Sequence, residues 1–133
     1  MTSDASFGEP LSGADSAEKA AGALLTVDLD AVAANYAMLK DAAAGAEVSA
    51  VVKADAYGLG MEPVAERLWM EGCRTFFVAD AAAGAALRAS LPTAVIHVLN
   101  GLFPGTAGLY AQHGLRPCLG SLAELAAWRE AGA

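Results

Sequence analysis

Cysteine and histidine are scarce in this chain, two of each among 133 residues. Cys73 and Cys118 lie far apart and match no metal spacing. They read as free buried thiols in a reducing compartment rather than as a disulfide. His97, inside an apolar run, reads as a structural side chain, and His113, near a helix end, as a partner of the helix dipole. With no His pair at ligand spacing, no metal site is expected. Positive charge is scarce too: eight Lys and Arg face fifteen Asp and Glu, for a net charge of −7. Nucleic acid and an anionic membrane surface both demand a basic face, so neither is expected as a partner. No apolar run approaches the ~18 residues of a membrane span. Strong phosphate-loop signatures are missing as well. No G-x-x-x-x-G-K-[ST] occurs, and "GLG" at 58–60 belongs to no full G-x-G-x-x-G. The first 22 residues, "MTSDASFGEPLSGADSAEKAAG", lack the basic start and apolar centre of a signal peptide. Small, polar and acidic, they read as a disordered tail (1–22) ahead of a domain over 23–133. A cytoplasmic protein is expected.

Apolar residues make up 56% of the chain, but 33 residues are Ala, so large side chains are fewer than that figure suggests. The length suffices for one domain with a core. From Leu24 onward, short apolar strands alternate with helical segments. Strands are expected at 24–28 ("LLTVD"), 48–53 ("VSAVVK"), 75–79 ("TFFVA"), 94–98 ("AVIHV") and 116–119 ("RPCL"), the last weakened by Pro117. Asp30 is the expected N-cap of a helix over 31–44, and Asp80 that of an Ala-rich helix over 81–89. Pro63 suits the first turn of a helix that ends before Gly72. A short helix from Thr106 to Gln112 is ended by Gly114, and "SLAE", Ser121 to Glu124, is a capping box. Such alternation gives an α/β fold with a parallel sheet and right-handed crossovers. Two architectures fit. One is the first five β/α units of a (β/α)8 TIM-type barrel, incomplete because a whole barrel takes ~250 residues. The other is a five-stranded doubly wound parallel sheet. In both, ligands bind at the C-terminal ends of the strands.

"SAVVKADAYGLG", residues 49–60, stands out at such an end. The run from Val48 to Val52 reads as a strand buried on both faces. Lys53 then either reaches into solvent or has a chemical task, since lysine is almost never buried without a partner. A desolvated lysine offers more free amine for condensation with an aldehyde. Tyr57 could bind a phosphate oxygen, and the glycines after it allow close backbone approach. An aldehyde and a phosphate together suggest pyridoxal 5'-phosphate. A competing reading takes Asp28, Asp30 and Asp80, after expected strands, as the acids of a Mg²⁺-dependent phospho-acceptor signalling domain. That fold wants a lysine at the end of strand five, where "RPCLGS" has none. Asp30 and Asp80 can equally be plain helix caps.

The stretch from Val52 to Gly60 resembles the valine–lysine–alanine–Asn/Asp–alanine–tyrosine–glycine–x–glycine motif of alanine racemases. "LLTVDLDAVAANYAMLK", "FFVADAAAGAALR" and "IHVLNGLFPG" are similar to further parts of that family's N-terminal barrel, so the resemblance runs from about Leu24 to the end. It implies that Lys53 carries pyridoxal 5'-phosphate covalently and serves as the base on one face of the substrate, and that Tyr57 hydrogen-bonds the cofactor phosphate. It implies interconversion of L- and D-alanine, which supplies D-alanine for peptidoglycan, in a homodimer whose partner subunit brings the opposing tyrosine from a C-terminal β-domain. A barrel that binds the cofactor without turnover is the alternative within the same fold. Leu59 stands where the family often has His, and Ala83 where an acidic residue is common. The opposing tyrosine, the arginine near the pyridine nitrogen and the later phosphate-binding loops have no counterpart here. The sequence therefore reads as the N-terminal part of a longer protein, inactive by itself.

Overall fold

The computed structural model describes residues 20–132. Most of the expected tail thus lies outside the described residues. The elements run α1 (Leu29–Ala42), β1 (Ala50–Val51), a helical turn α2 (Lys53–Gly58), α3 (Met61–Met70), β2 (Thr75–Val78), α4 (Ala81–Ser90), β3 (Val95–Val98), α5 (Ala107–His113), β4 (Leu115–Pro117) and α6 (Leu122–Glu130). All strand pairs are parallel, and the sheet order is β1-β2-β3-β4. A doubly wound sheet reverses direction at a switch point. Here each strand adds beside the last without reversal, which is the barrel order and excludes the doubly wound alternative among the described strands.

Among the described residues four strands stand where five were expected. Residues 24–28 form no strand, and Leu24 and Leu25 are 66% and 74% exposed. Their apolar character gives a strand only when a neighbouring edge supplies hydrogen bonds, and none of the described strands pairs with them. Lys53 accordingly follows the first strand of the sheet rather than the second. Pro117 closes β4 at the sheet edge, where its missing N–H costs no ladder bond.

Alternation of side chains sorts the sheet into two faces. Phe76, Val78, Ile96 and Val98 are fully buried and share one core with Tyr36 of α1, Val64 and Leu68 of α3, Leu87 of α4 and Tyr110 of α5. The opposite face carries a row in register, Val51, Phe77, His97 and Arg116. Val51 is 44% exposed, so β1 is not buried on both faces as its apolar run suggested. The described residues cover one face only. Both cysteines are free, Cys73 buried and Cys118 half-buried.

Local signals set the helix ends. Asp28 caps α1, its Oδ1 accepting from the backbone N–H of Asp30 (2.9 Å) and Ala31 (3.0 Å). The cap lies two residues before Asp30, the residue expected there. Asp30 instead pairs with Arg67 of α3 at 3.2 Å. Asp80 caps α4 through Ala83 N–H at 2.9 Å, and Gly114 ends α5 in left-handed backbone, φ 57°.

Candidate active site

Lys53 leaves the sheet at the C-terminal end of β1. Val52, 1% exposed, anchors that point by donating its N–H to Phe77 O at 2.8 Å. The chain then does something no residue type announced. Ala54, Asp55, Ala56 and Tyr57 have φ of 52°, 55°, 51° and 57°, four successive non-glycine residues in left-handed backbone. Each costs roughly 1–2 kcal/mol relative to right-handed backbone, so the turn persists only because its surroundings hold it. Ala56 is buried, and its N–H donates to Val52 O at 3.0 Å. Gly60 N–H donates to Asp55 O at 2.9 Å, and Met61 N–H to Asp55 Oδ1 at 2.7 Å. Asp55 thereby caps α3 from six residues upstream, since Gly60 at the cap position has no side chain to do so. Gly60 itself is required twice over: its φ is 94°, and a Cβ there would lie 3.0 Å from Pro63 Cγ.

This turn presents Lys53 and Tyr57 together at the C-terminal end of the sheet. Both are exposed, Tyr57 by 64%. Of the two readings of Lys53, solvent or a chemical task, exposure alone decides neither: the described residues leave the sheet's second face and its strand ends open. Tyr57 and Leu59 border an apolar groove of about 260 Å³ beside β1, lined also by Val32, Tyr36 and Val51. A larger groove of about 410 Å³ lies elsewhere, between Phe103 and α6, and neither Lys53 nor Tyr57 touches it.

The loops after β3 and β4 reach the same end and are tied to each other. Glu124 accepts from Gly120 N–H at 3.1 Å and Leu102 N–H at 3.3 Å, and these bonds hold its carboxyl below the usual range. Tyr110 OH donates to Gly101 O. Glu124 was legible only as half of a capping box, and its bond to Leu102 crosses 22 residues of sequence. Below the site, His97 stacks on Phe77 with ring centroids 4.8 Å apart. Burial, with Arg116 nearby, lowers its pKa.

The signalling reading fails on geometry. Asp28 and Asp80 cap helices and Asp30 pairs with Arg67, so the three acids are engaged separately. Among the described residues no cluster of three or more His, Cys, Asp or Glu could hold a metal ion, and no helix is long and apolar enough to cross a membrane.

Residues 27–133 match the family model described as alanine racemase, N-terminal domain. The chain belongs to that family. It is 54% identical over 107 residues to the alanine racemase of Methylobacterium sp. (strain 4-46), covering 80% of this chain and 29% of that protein. To the alanine racemase of Brucella ovis it is 45% identical over 115 residues, 86% of this chain and 29% of the relative. The chain thus spans under a third of the alanine racemases it matches. Among solved structures, the alanine racemase from Bartonella henselae with covalently bound pyridoxal phosphate superposes with a TM-score of 0.76 at 42% identity, over 78% of this chain and 29% of that one. A histidine racemase from Leuconostoc mesenteroides superposes with a TM-score of 0.71 at 25% identity, over 77% and 28%. The sheet described above therefore matches the N-terminal part of the alanine racemase barrel.

Proposed function

We propose that this chain is the cofactor-carrying part of an alanine racemase, with Lys53 as the lysine that holds pyridoxal 5'-phosphate. The observation that carries the reading is the left-handed turn, which sets an accessible amine at the end of β1 and an accessible phenol four residues on, in a fold whose Bartonella henselae relative binds this cofactor covalently. The donor set fits the group: a primary amine for the aldehyde carbon and a hydroxyl for a phosphate oxygen. When bound, the cofactor's ring spreads the negative charge left on the substrate's α-carbon. Lys53 Nζ would hold the cofactor and, once the substrate's amine has displaced it, would move a proton at one face of that carbon. Tyr57 OH donates to the phosphate and fixes the ring's orientation. The proton on the other face comes from a group outside this chain, in this reading from the partner subunit of a homodimer. Alanine, rather than the histidine named for one structural neighbour at 25% identity, follows the alanine racemases matched at 54% and 45% identity, and D-alanine for the cell wall is the product.

The test is borohydride reduction of the full-length protein with pyridoxal 5'-phosphate, followed by peptide mapping. Label on Lys53 together with D-alanine formation supports the reading. Label on Lys53 without D-alanine formation reduces the protein to a cofactor-binding barrel. Label mainly on Lys19 or Lys40 removes Lys53 from its role.

A further inference from the structure

We infer that Asp55 is a positioning residue that sets Tyr57 against Lys53; this rests on the reading of Tyr57 as a phosphate ligand. The two site residues are held by different means. Lys53 follows directly on the strand, fixed through Val52 N–H on Phe77 O. Tyr57 is the last of four successive non-glycine residues with positive φ, and nothing in Ala54, Ala56 or Tyr57 itself favours that backbone. Asp55 ties the turn at both of its polar ends. Its carbonyl accepts from Gly60 N–H at 2.9 Å and its carboxylate from Met61 N–H at 2.7 Å. Among the described residues, that carboxylate is the one side chain hydrogen-bonded across the turn to α3. Asp is also one of the few non-glycine residues that visits left-handed backbone with tolerance. Without the tie the turn relaxes toward ordinary backbone, and Tyr57 OH leaves its place while Lys53 stays at the strand end.

The bond to Met61 has a second effect. It engages a negative charge at the N-terminus of α3, where the helix dipole favours it.

The experiment measures pyridoxal 5'-phosphate affinity by absorbance titration on the full-length protein, for wild type, Asp55→Ala, Tyr57→Phe and the double variant. Melting curves by circular dichroism show that each is folded. If Asp55 acts through Tyr57, Asp55→Ala and Tyr57→Phe each weaken binding about ten- to hundredfold, and the double variant is within about threefold of the weaker single one. Multiplying losses in the double variant, or unchanged affinity in Asp55→Ala, overturn the proposal. A merely structural Asp55 lowers the melting temperature without this coupling. If Tyr57→Phe alone leaves affinity unchanged, the phosphate reading has failed, and any loss in Asp55→Ala then passes through something other than Tyr57 and overturns the proposal too. Should Asp55→Ala not fold, Asp55→Asn decides, because it keeps the oxygen acceptor and removes the charge. Affinity within about threefold of wild type sustains a positioning role, and a loss of about tenfold or more overturns it.

Discussion

Replacing Tyr57 by Phe removes one hydroxyl and little volume, so it isolates a single bond. A hydrogen bond to a charged group is worth about 1.5–3 kcal/mol, and cofactor affinity of the full-length protein should fall roughly ten- to hundredfold in an absorbance titration. Unchanged affinity would leave Tyr57 as a packing residue over its apolar groove. Lys53→Ala is a sharper test. The side chain is exposed, so its removal costs no core, and the visible absorbance of the lysine-linked cofactor should vanish while the far-ultraviolet dichroism stays. Lys53 and Tyr57 could be singled out as candidates in the sequence, because a lysine ending an apolar strand and a tyrosine four residues on stand within a stretch that resembles the alanine racemase motif. Asp55 could not be. Its part depends on a left-handed turn, and such turns are normally read from glycine; four non-glycine residues in that backbone give no local sign of it.

At the scale of elements, what reads clearly from the sequence is what is fixed by a few neighbouring atoms. The Asp80 cap, the Ser121 cap on Glu124 N–H and Gly114 at the end of α5 satisfy helix ends locally and stand as expected, whereas the Glu124 half of the box is turned to Gly120 and Leu102 N–H instead of Ser121 N–H. Failures came where a partner far along the chain decides. "LLTVD" has strand character but pairs with none of the described strands, and Val51 is exposed because the described residues leave one face of the sheet uncovered. Two long-range ties lead to predictions. The Arg88 guanidinium donates to the carbonyls of Leu91, Pro92, Ala94, His113 and Gly114, joining the end of α4 to the turn before β4. Arg88→Met keeps the apolar stem but strands these acceptors. It should lower stability by about 1.5–3 kcal/mol, read as a shifted denaturant midpoint; an unchanged midpoint would mean water replaces the bonds freely. Glu124 gives a pH dependence. Its backbone bonds depress its folded-state pKa, so its stabilisation is present above the unfolded carboxylate value and is lost as pH falls through the lower folded value. Glu124→Gln should flatten that part of the acid limb of a stability-versus-pH curve. A parallel displacement of the whole curve would show that its charge is irrelevant.

At the scale of the whole, the described residues present a four-stranded piece of a barrel. Among these residues the two edges, β1 and β4, carry unpaired backbone groups, and no described layer lies over the row Val51, Phe77, His97 and Arg116. Open edges and an uncovered face recruit other chains. Residues 1–133 alone should therefore self-associate, which sedimentation or light scattering reads directly. They should also fail to racemise alanine. Racemisation by two bases needs a proton donor on the face opposite Lys53, and the acids nearest the strand ends are already engaged, Asp80 in a helix cap and Glu124 in its two backbone bonds. Part of the phosphate grip is missing as well, since barrels of this kind often hold phosphate at the loops after strands seven and eight. Covalent capture of the cofactor needs less, only an accessible amine, and Lys53 offers one. Residues 1–133 with saturating pyridoxal 5'-phosphate should thus show weak borohydride-fixed label on Lys53 and no D-alanine above a Lys53→Ala control. Turnover clearly above that control, from a monodisperse sample, would mean that these residues hold a complete site and that the second base lies among groups here assigned to caps and loop ties.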